Sequence, residues 1–220
     1  MTVGRLGDDL QKGRNSTGQR FASIPAFTTY EEGKKGGQTR RQCTFEYKIA
    51  PIEKYIRRGL FKQKPGRPIP KDKSVTCSFG FSTDESKRAV KMQRQFAGKP
   101  SNWNCEFPLF HEDIMMTRQD CQNYMDKLYG KPWRSSRCVF CPYQRNSHWL
   151  ELKQHDPAGF DRACDVDRAL REEGSIANRD MNQNIYVHES CLPLVDANLD
   201  QDQTMLFSDD DLCDQGGCFL

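Results

Sequence analysis

Apolar positions along the chain recur in short stretches of changing period, which predicts a series of small helices and strands rather than one long element. Residues 1–20 are polar and turn-rich and read as a loop. Residues 20–29 (RFASIPAFTT) alternate around Pro25 and read as an extended edge segment, and residues 33–37 as a loop. From Thr44, the run FEYKIAPIEKYIRRGLF puts Ile49, Ile52, Tyr55, Ile56 and Leu60 on one helical face, with Pro51 expected in the first turn. Residues 63–72 (QKPGRPIPKD) form a proline-rich connector. Residues 74–81 (SVTCSFGF) read as a strand that runs into Ser82-Thr83-Asp84-Glu85, a helix-start signature, and a basic helix to Arg94. Residues 104–110 (NCEFPLF) give a short second strand. Thr117, with Asp120 at the third helical position, predicts a capped helix through Leu128 that stops at Gly130. Pro132-Trp133 breaks the chain. Two helices follow, over 147–153 and 157–173, the second with Phe160, Ala163, Cys164, Val166, Ala169 and Leu170 on its apolar face; from Glu189 the chain is irregular and acidic. There is no internal repeat.

Composition narrows the class. The chain has 220 residues, which argues one domain with appendages: a polar segment over 1–20, a domain over 21–195 and an acidic, cysteine-containing tail over 196–220. Hydrophobic residues are 36% of the total, and 13 Phe, 7 Tyr and 3 Trp are enough to anchor a core. No run approaches the ~18 apolar residues of a membrane span, and the N-terminus lacks the apolar core of a signal peptide, so a cytoplasmic protein with no membrane partner is expected. The net charge of +3 hides an asymmetry. Residues 1–150 carry 28 Lys and Arg against 14 Asp and Glu, and residues 151–220 carry 5 against 16. A basic body with an acidic tail points to an anionic ligand or partner.

Ten cysteines are too many for a bland cytosolic fold and too few for a disulfide scaffold. The strongest local signal is Cys138-Val139-Phe140-Cys141-Pro142, a CxxC that brings two sulfurs near one metal or cluster. Taken alone it is a zinc half-site, a redox dithiol, an iron–sulfur pair or two structural thiols. No second CxxC is present, and His148 and His155 lie seven apart, outside zinc-finger spacing. Further ligands must therefore come from scattered cysteines. Cys43 sits among Arg40, Arg41 and Lys48, a cationic neighbourhood of the kind that stabilises thiolate. Cys191 lies in a turn-like segment, and Cys213 and Cys218 fall in the last eight residues, CDQGGCFL. Cys77, Cys121 and Cys164 fall in probable strand or helix interiors and read as core; Cys105 is undecided. Arg40, Arg41 and Lys48 also suit an oxyanion site, because guanidinium forks match phosphate and sulfate.

An ordered set of these motifs resembles the phosphoadenosine phosphosulfate (PAPS) reductase-like proteins of the adenine-nucleotide alpha-hydrolase superfamily, in the branch common in phages and bacteria. Arg40-Arg41-Gln42-Cys43-Thr44 with Lys48-Ile49-Ala50-Pro51-Ile52 is similar to the family's cysteine followed by Lys-x-x-Pro-Leu. Gly80-Phe81-Ser82-Thr83-Asp84-Glu85 with Arg88 resembles Gly-x-Ser-x-Asp-Glu…Arg. Phe107-Pro108-Leu109, Thr117-Arg118-Gln119-Asp120-Cys121, Cys138 to Asn146 with Trp149, His188 to Leu194, and the Gly-Cys tail continue the match over roughly 14–220. The family's Ser-Gly-Gly-x-Asp-Ser pyrophosphate loop has no counterpart here. The chain thus corresponds to the C-terminal half to two-thirds of the family. A truncated product, one half of a split enzyme and a degenerate relative all remain open.

The resemblance implies an α/β fold, helix-rich, with a cysteine-bound 4Fe–4S cluster beside an adenylyl sulfonucleotide such as PAPS. By position it implies Cys43, Cys138 and Cys141 as ligands; Thr44 replaces the family's adjacent cysteine, and Cys191 is favoured as the fourth ligand ahead of Cys218 or Cys213. Arg40, Arg41, Lys48, Asp84, Glu85 and Arg88 would contact substrate. Cys218 or Cys213 would be the nucleophile. Its thiolate would attack the sulfur of PAPS and displace the adenosine bisphosphate, and a dithiol donor such as thioredoxin would release the enzyme thiosulfonate as sulfite while being oxidised to a disulfide. A partner chain could supply the pyrophosphate loop. Two other classes stay open on the same residues: a subunit of a sulfur-inserting DNA or tRNA modification enzyme, and a zinc-stapled binding module without catalysis.

Overall fold

Residues 5–12, 24–34, 36–130, 138–172 and 183–200 are described by the computed structural model, a mixed α/β arrangement with small sheets. The described residues fall into two compact units, one made of those before 54 and from 138 onward, the other of 54–130.

In the first unit the opening segment is not the loop its polar composition predicts. Helix α1 spans Leu6–Gln11. Leu6 and Leu10 lie four apart, so a single turn directs both inward, and Leu10 is fully buried in a core with Trp149, Phe160 and Val166. Asp8 and Asp9 in the first turn suit the helix dipole, and Asp9 accepts a hydrogen bond from the Tyr47 hydroxyl at 2.6 Å.

Strand β1, Phe27–Thr29, lies in the region expected to be an edge, yet it is the middle strand of an antiparallel sheet ordered β2-β1-β5. Strand β2 is Gly37–Gln38 and β5 is Asn184–Tyr186. Phe27 pairs with Gln38 on one side and Tyr186 on the other. All three β1 residues are buried, which a strand flanked on both sides requires. A Cβ at Gly36 would collide with the Thr28 carbonyl oxygen, so the turn into β2 needs a glycine. β5 is too short to show any alternation, and the sequence pattern does not predict it.

The predicted helix beginning near Thr44 forms, with two departures. Phe45–Ile49 is a π-helical turn, Ala50–Lys54 is helix α2, and Tyr55–Leu60 is a second π-helical turn. Pro51 therefore stands inside the helical segment and not in its first turn. The widened turn just ahead of it, closed by the Ala50 N–H on the Phe45 carbonyl, accommodates a residue without an N–H. Of the predicted apolar face only Ile56 is buried; Ile52, Tyr55 and Leu60 are exposed.

The second unit is built on a strand–helix–strand element. Strand β3, Val75–Ser78, leads through a short 3-10 turn into helix α3, Ser86–Ala97, and returns in β4, Trp103–Glu106. β3 and β4 pair in parallel, Val75 with Trp103 and Ser78 with Glu106. Parallel neighbours require such a crossover. α3 buries Ala89, Met92 and Phe96 on one face. Helix α4, Arg118–Tyr129, has the predicted ends: Thr117 and Asp120 form a capping box, and Gly130 closes it at φ 68°, a left-handed conformation suited to glycine.

Back in the first unit, helix α5 is Asn146–His155 and helix α6 is Pro157–Ala169, starting on an Asp156 cap with Pro157 in its first turn. The apolar face of α6 is buried as expected, except that Cys164 is half-buried. No helix among the described residues is long and apolar enough to cross a membrane.

Candidate functional site

The CxxC folds into a tight turn because the Cys141 N–H reaches back to the Cys138 carbonyl at 3.0 Å. Gln144 braces it: its side-chain amide donates to the carbonyls of Val139 at 2.8 Å and Cys138 at 3.4 Å, and its N–H donates to Cys141 O at 3.2 Å. Phe140, between the two cysteines, anchors the turn in the core. Cys138 is exposed and Cys141 half-buried, so the turn presents sulfur outward while its backbone is fixed from behind.

Two contacts bring the other cysteine-bearing segments of this unit toward that turn. The Arg41 guanidinium lies 5.5 Å from the centroid of the Tyr143 ring, and Cys43 packs against the same core as Val139. His188 Nε2 bonds Asn146 Oδ1 at 2.8 Å, tying the segment that carries Cys191 to the start of α5. Cys191 is fully buried against Phe27 and Tyr186, at φ 55°, with its N–H on His188 O and its carbonyl accepting from the Gly33 N–H. Thiols are the donor type that a soft metal or an iron–sulfur centre takes, but only the segments of these four meet, not the sulfurs. As they stand, no three His, Cys, Asp or Glu side chains among the described residues are grouped so as to hold a metal ion. Arg40 is exposed, and Lys48 is half-buried in the first π-helical turn. Cys213 and Cys218 lie outside the described residues.

Asp84, Glu85 and Arg88 belong to the second unit, at the carboxyl end of β3 where the chain enters α3. Glu85 reaches back to the Ser82 N–H at 3.2 Å and forms an ion pair with Arg88. Asp84 Oδ2 accepts from the Arg118 N–H at 2.5 Å, at the start of α4. The Thr83 N–H donates to Met116 O at 3.0 Å, so the β3–α3 turn and the entry to α4 are joined. Arg88 lies over the Phe81 ring, 4.6 Å from its centroid. Its Nη1 is taken up by Glu85, while its Nη2 is buried and has no hydrogen-bond partner among the described residues. That nitrogen carries two N–H donors without an acceptor.

Burial raises the Cys105, Cys121 and Cys164 thiols above the ordinary value, and Cys164 is pushed up to about 11, helped by the nearby carboxylates of Asp167, Asp161 and Asp165. All three are half-buried; the sequence pattern reads Cys121 and Cys164 as core positions and leaves Cys105 undecided. Brief alkylation with iodoacetamide at pH 8, followed by mass spectrometry, is expected to label Cys138 first and Cys164 hardly at all. A thiol of pKa near 11 is ionised to roughly one part in a thousand there. Equal labelling of the two would contradict this assignment.

Two residues to which the sequence reading assigns no role hold the cysteine-bearing elements together. His188 is buried, and burial lowers its pKa; its Nδ1 accepts the Ser190 N–H at 3.2 Å, which leaves Nε2 to donate to Asn146. Asp167, also buried, accepts N–H groups from Val187 and Leu194 on either side of Cys191. An aspartate inside the apolar face of a helix was the available hint, since a buried carboxylate needs partners.

Compared with protein-family models, with curated proteins and with solved structures, the chain gives no match.

Proposed function

We propose that the chain is a PAPS reductase-like protein that takes part in reduction of an adenylyl sulfonucleotide or in related sulfur transfer. The observation that carries the reading is the Gly80–Arg88 motif at the carboxyl end of a parallel strand pair, at the turn into a helix. In α/β folds ligands are bound there, and Arg88 offers a buried, unpartnered guanidinium nitrogen at that turn. Arg88 would bind a phosphate or sulfate oxygen, with Asp84 and Glu85 holding the turn in shape; Arg40, Arg41 and Lys48, in the first unit, would be anion contacts in their own right. Cys43, Cys138, Cys141 and Cys191 would hold an iron–sulfur centre, which when bound supplies redox capacity and a local electrostatic field. A thiol donor of the thioredoxin class would supply the electrons, and a partner chain the pyrophosphate loop. A second reading, sulfur insertion into nucleic acid, is favoured by the basic face of the second unit described below.

Anaerobic purification with iron, sulfide and zinc analysis, followed by PAPS titration calorimetry, tests the proposal. Iron and sulfide are expected, lost in Cys138→Ala, together with saturable PAPS binding weakened roughly ten- to a hundredfold in Arg88→Ala, the worth of a charge-assisted hydrogen bond. Iron-free protein with one zinc and no PAPS binding would overturn it and favour the zinc-stapled module.

A further inference from the structure

Charge is sorted along the second unit. Residues 54–99 carry 13 Lys and Arg against three Asp and Glu, whereas residues 100–130 carry two against five. Helix α3 has no acidic residue between Ser86 and Ala97. While Ala89, Met92 and Phe96 face inward, Lys87, Lys91 and Arg94 are exposed at i, i+4 and i+7, a row spanning roughly 10 Å at the helical rise. The two acids just ahead of the helix are engaged elsewhere, Glu85 with Arg88 and Asp84 with the start of α4.

More cations lie at the far end of α3, where the chain turns into β4. The Asn102 side-chain amide donates to the carbonyls of Ile69 at 3.4 Å, Pro70 at 3.2 Å and Lys73 at 3.1 Å, fastening the end of the 62–73 connector beside the turn that follows the helix. That connector carries five exposed Lys and Arg. Beside it, Arg57 and Lys99 lie 5.9 and 5.1 Å from the centroid of the Trp103 ring. The connector and Arg57 are therefore held near Asn102 and Trp103, so the cations of this unit lie along α3 and at its carboxyl end.

We propose that these cations bind the phosphate backbone of double-stranded nucleic acid. A row of cations on a rigid helix suits a partner with closely and regularly spaced negative charge, and a duplex carries one charge per ~1.7 Å. Neither α3 nor the connector presents an exposed aromatic ring, so these two segments offer no stacking platform of the kind that unpaired bases need. The apolar face of α3 is turned into the unit and Val90 is its one large exposed apolar side chain, so on this helix an anionic membrane would find charge but no apolar face to insert. The proposal rests on the charge layout and not on the sulfonucleotide reading. A chain that binds duplex but neither iron nor PAPS would sink the latter and leave this one standing.

The test uses the full chain and fluorescence anisotropy with a labelled DNA duplex of about two helical turns, the matching single strand, and phosphatidylserine vesicles as competitor. Duplex affinity is expected to fall on the order of a hundredfold between roughly 50 and 200 mM salt. Reversal at Lys87→Glu, Lys91→Glu and Arg94→Glu together should weaken binding at least tenfold and reduce the salt slope by about 2–3. Lys12→Glu, Lys34→Glu and Lys153→Glu together change net charge equally and should leave affinity within about twofold. The neutral triple with glutamine at 87, 91 and 94 should give an intermediate loss, which guards against a misfolded reversal variant. No binding at low salt, an equal loss in the control triple, tighter binding of the single strand, or displacement of duplex by vesicles would each overturn the proposal.

Discussion

Replacing Asp167 with alanine is expected to cost about 3–5 kcal/mol, the usual loss when one partner of a buried charged pair is removed. The residue is 1% exposed and its carboxylate is fully used: Oδ1 accepts the Val187 N–H at 2.8 Å, and Oδ2 accepts the Leu194 N–H at 2.9 Å and an N–H of Arg171 Nη2 at 2.7 Å. Arg171 in turn donates to Ile185 O at 3.1 Å and lies 4.5 Å from the centroid of the Tyr186 ring. Alanine would leave two buried N–H groups and a largely buried guanidinium without their acceptor. Against a typical stability of about 5–15 kcal/mol, that is about a fifth of the total or more. The urea midpoint should fall accordingly, and amide exchange at Val187 and Leu194 should accelerate before that of the α6 interior. Asp167→Asn keeps the shape and one acceptor, so it should recover part of the loss. An unchanged midpoint in the alanine variant would show that the carboxylate is dispensable.

Trp149→Ala should be of similar size, about 3–5 kcal/mol, because the ring is completely buried among Leu10, Phe140 and Phe160. Trp149→Phe is the sharper experiment. The indole Nε1–H is buried and has no hydrogen-bond partner among the described residues, an arrangement that costs about 1–3 kcal/mol. Phenylalanine removes that donor while giving up part of the buried area, so the two changes offset and the midpoint should stay within about 1 kcal/mol of the parent. A loss in the phenylalanine variant as large as in alanine would mean that the N–H has an acceptor after all.

The two candidate sites differ in how far local pattern reveals them. The Cys138–Cys141 turn and the Ser82–Glu85 helix start are contained within a few residues, and the bonds that shape them are short in sequence: Cys141 to Cys138, and Ser82 to Glu85. What joins Arg41 to Tyr143, or Asn146 to His188, spans dozens of residues and depends on packing between elements. The orphaned Nη2 of Arg88 is likewise invisible in the sequence. It follows from the Phe81 ring beneath the guanidinium and the Glu85 carboxylate on its other nitrogen.

The same division runs through the fold. Thr117 with Asp120, Gly130, and Pro157 after Asp156 mark helix ends by hydrogen bonds and dihedral preferences that act within one turn, so α4 and the start of α6 were readable before any tertiary contact was known. The cationic row of α3 was legible for the same reason, since helical period alone separates Lys87, Lys91 and Arg94 from Ala89, Met92 and Phe96. Residues 27–29 became a central strand only because residues 184–186, more than 150 positions away, pair with them. A three-residue strand has too few positions to display a period, and its partner is chosen by burial and closure of the whole chain. Leu10 and Asp167 belong to that second class. One is a lone apolar residue in a polar stretch and the other a lone carboxylate on an apolar face, and each acquires its role from what packs around it.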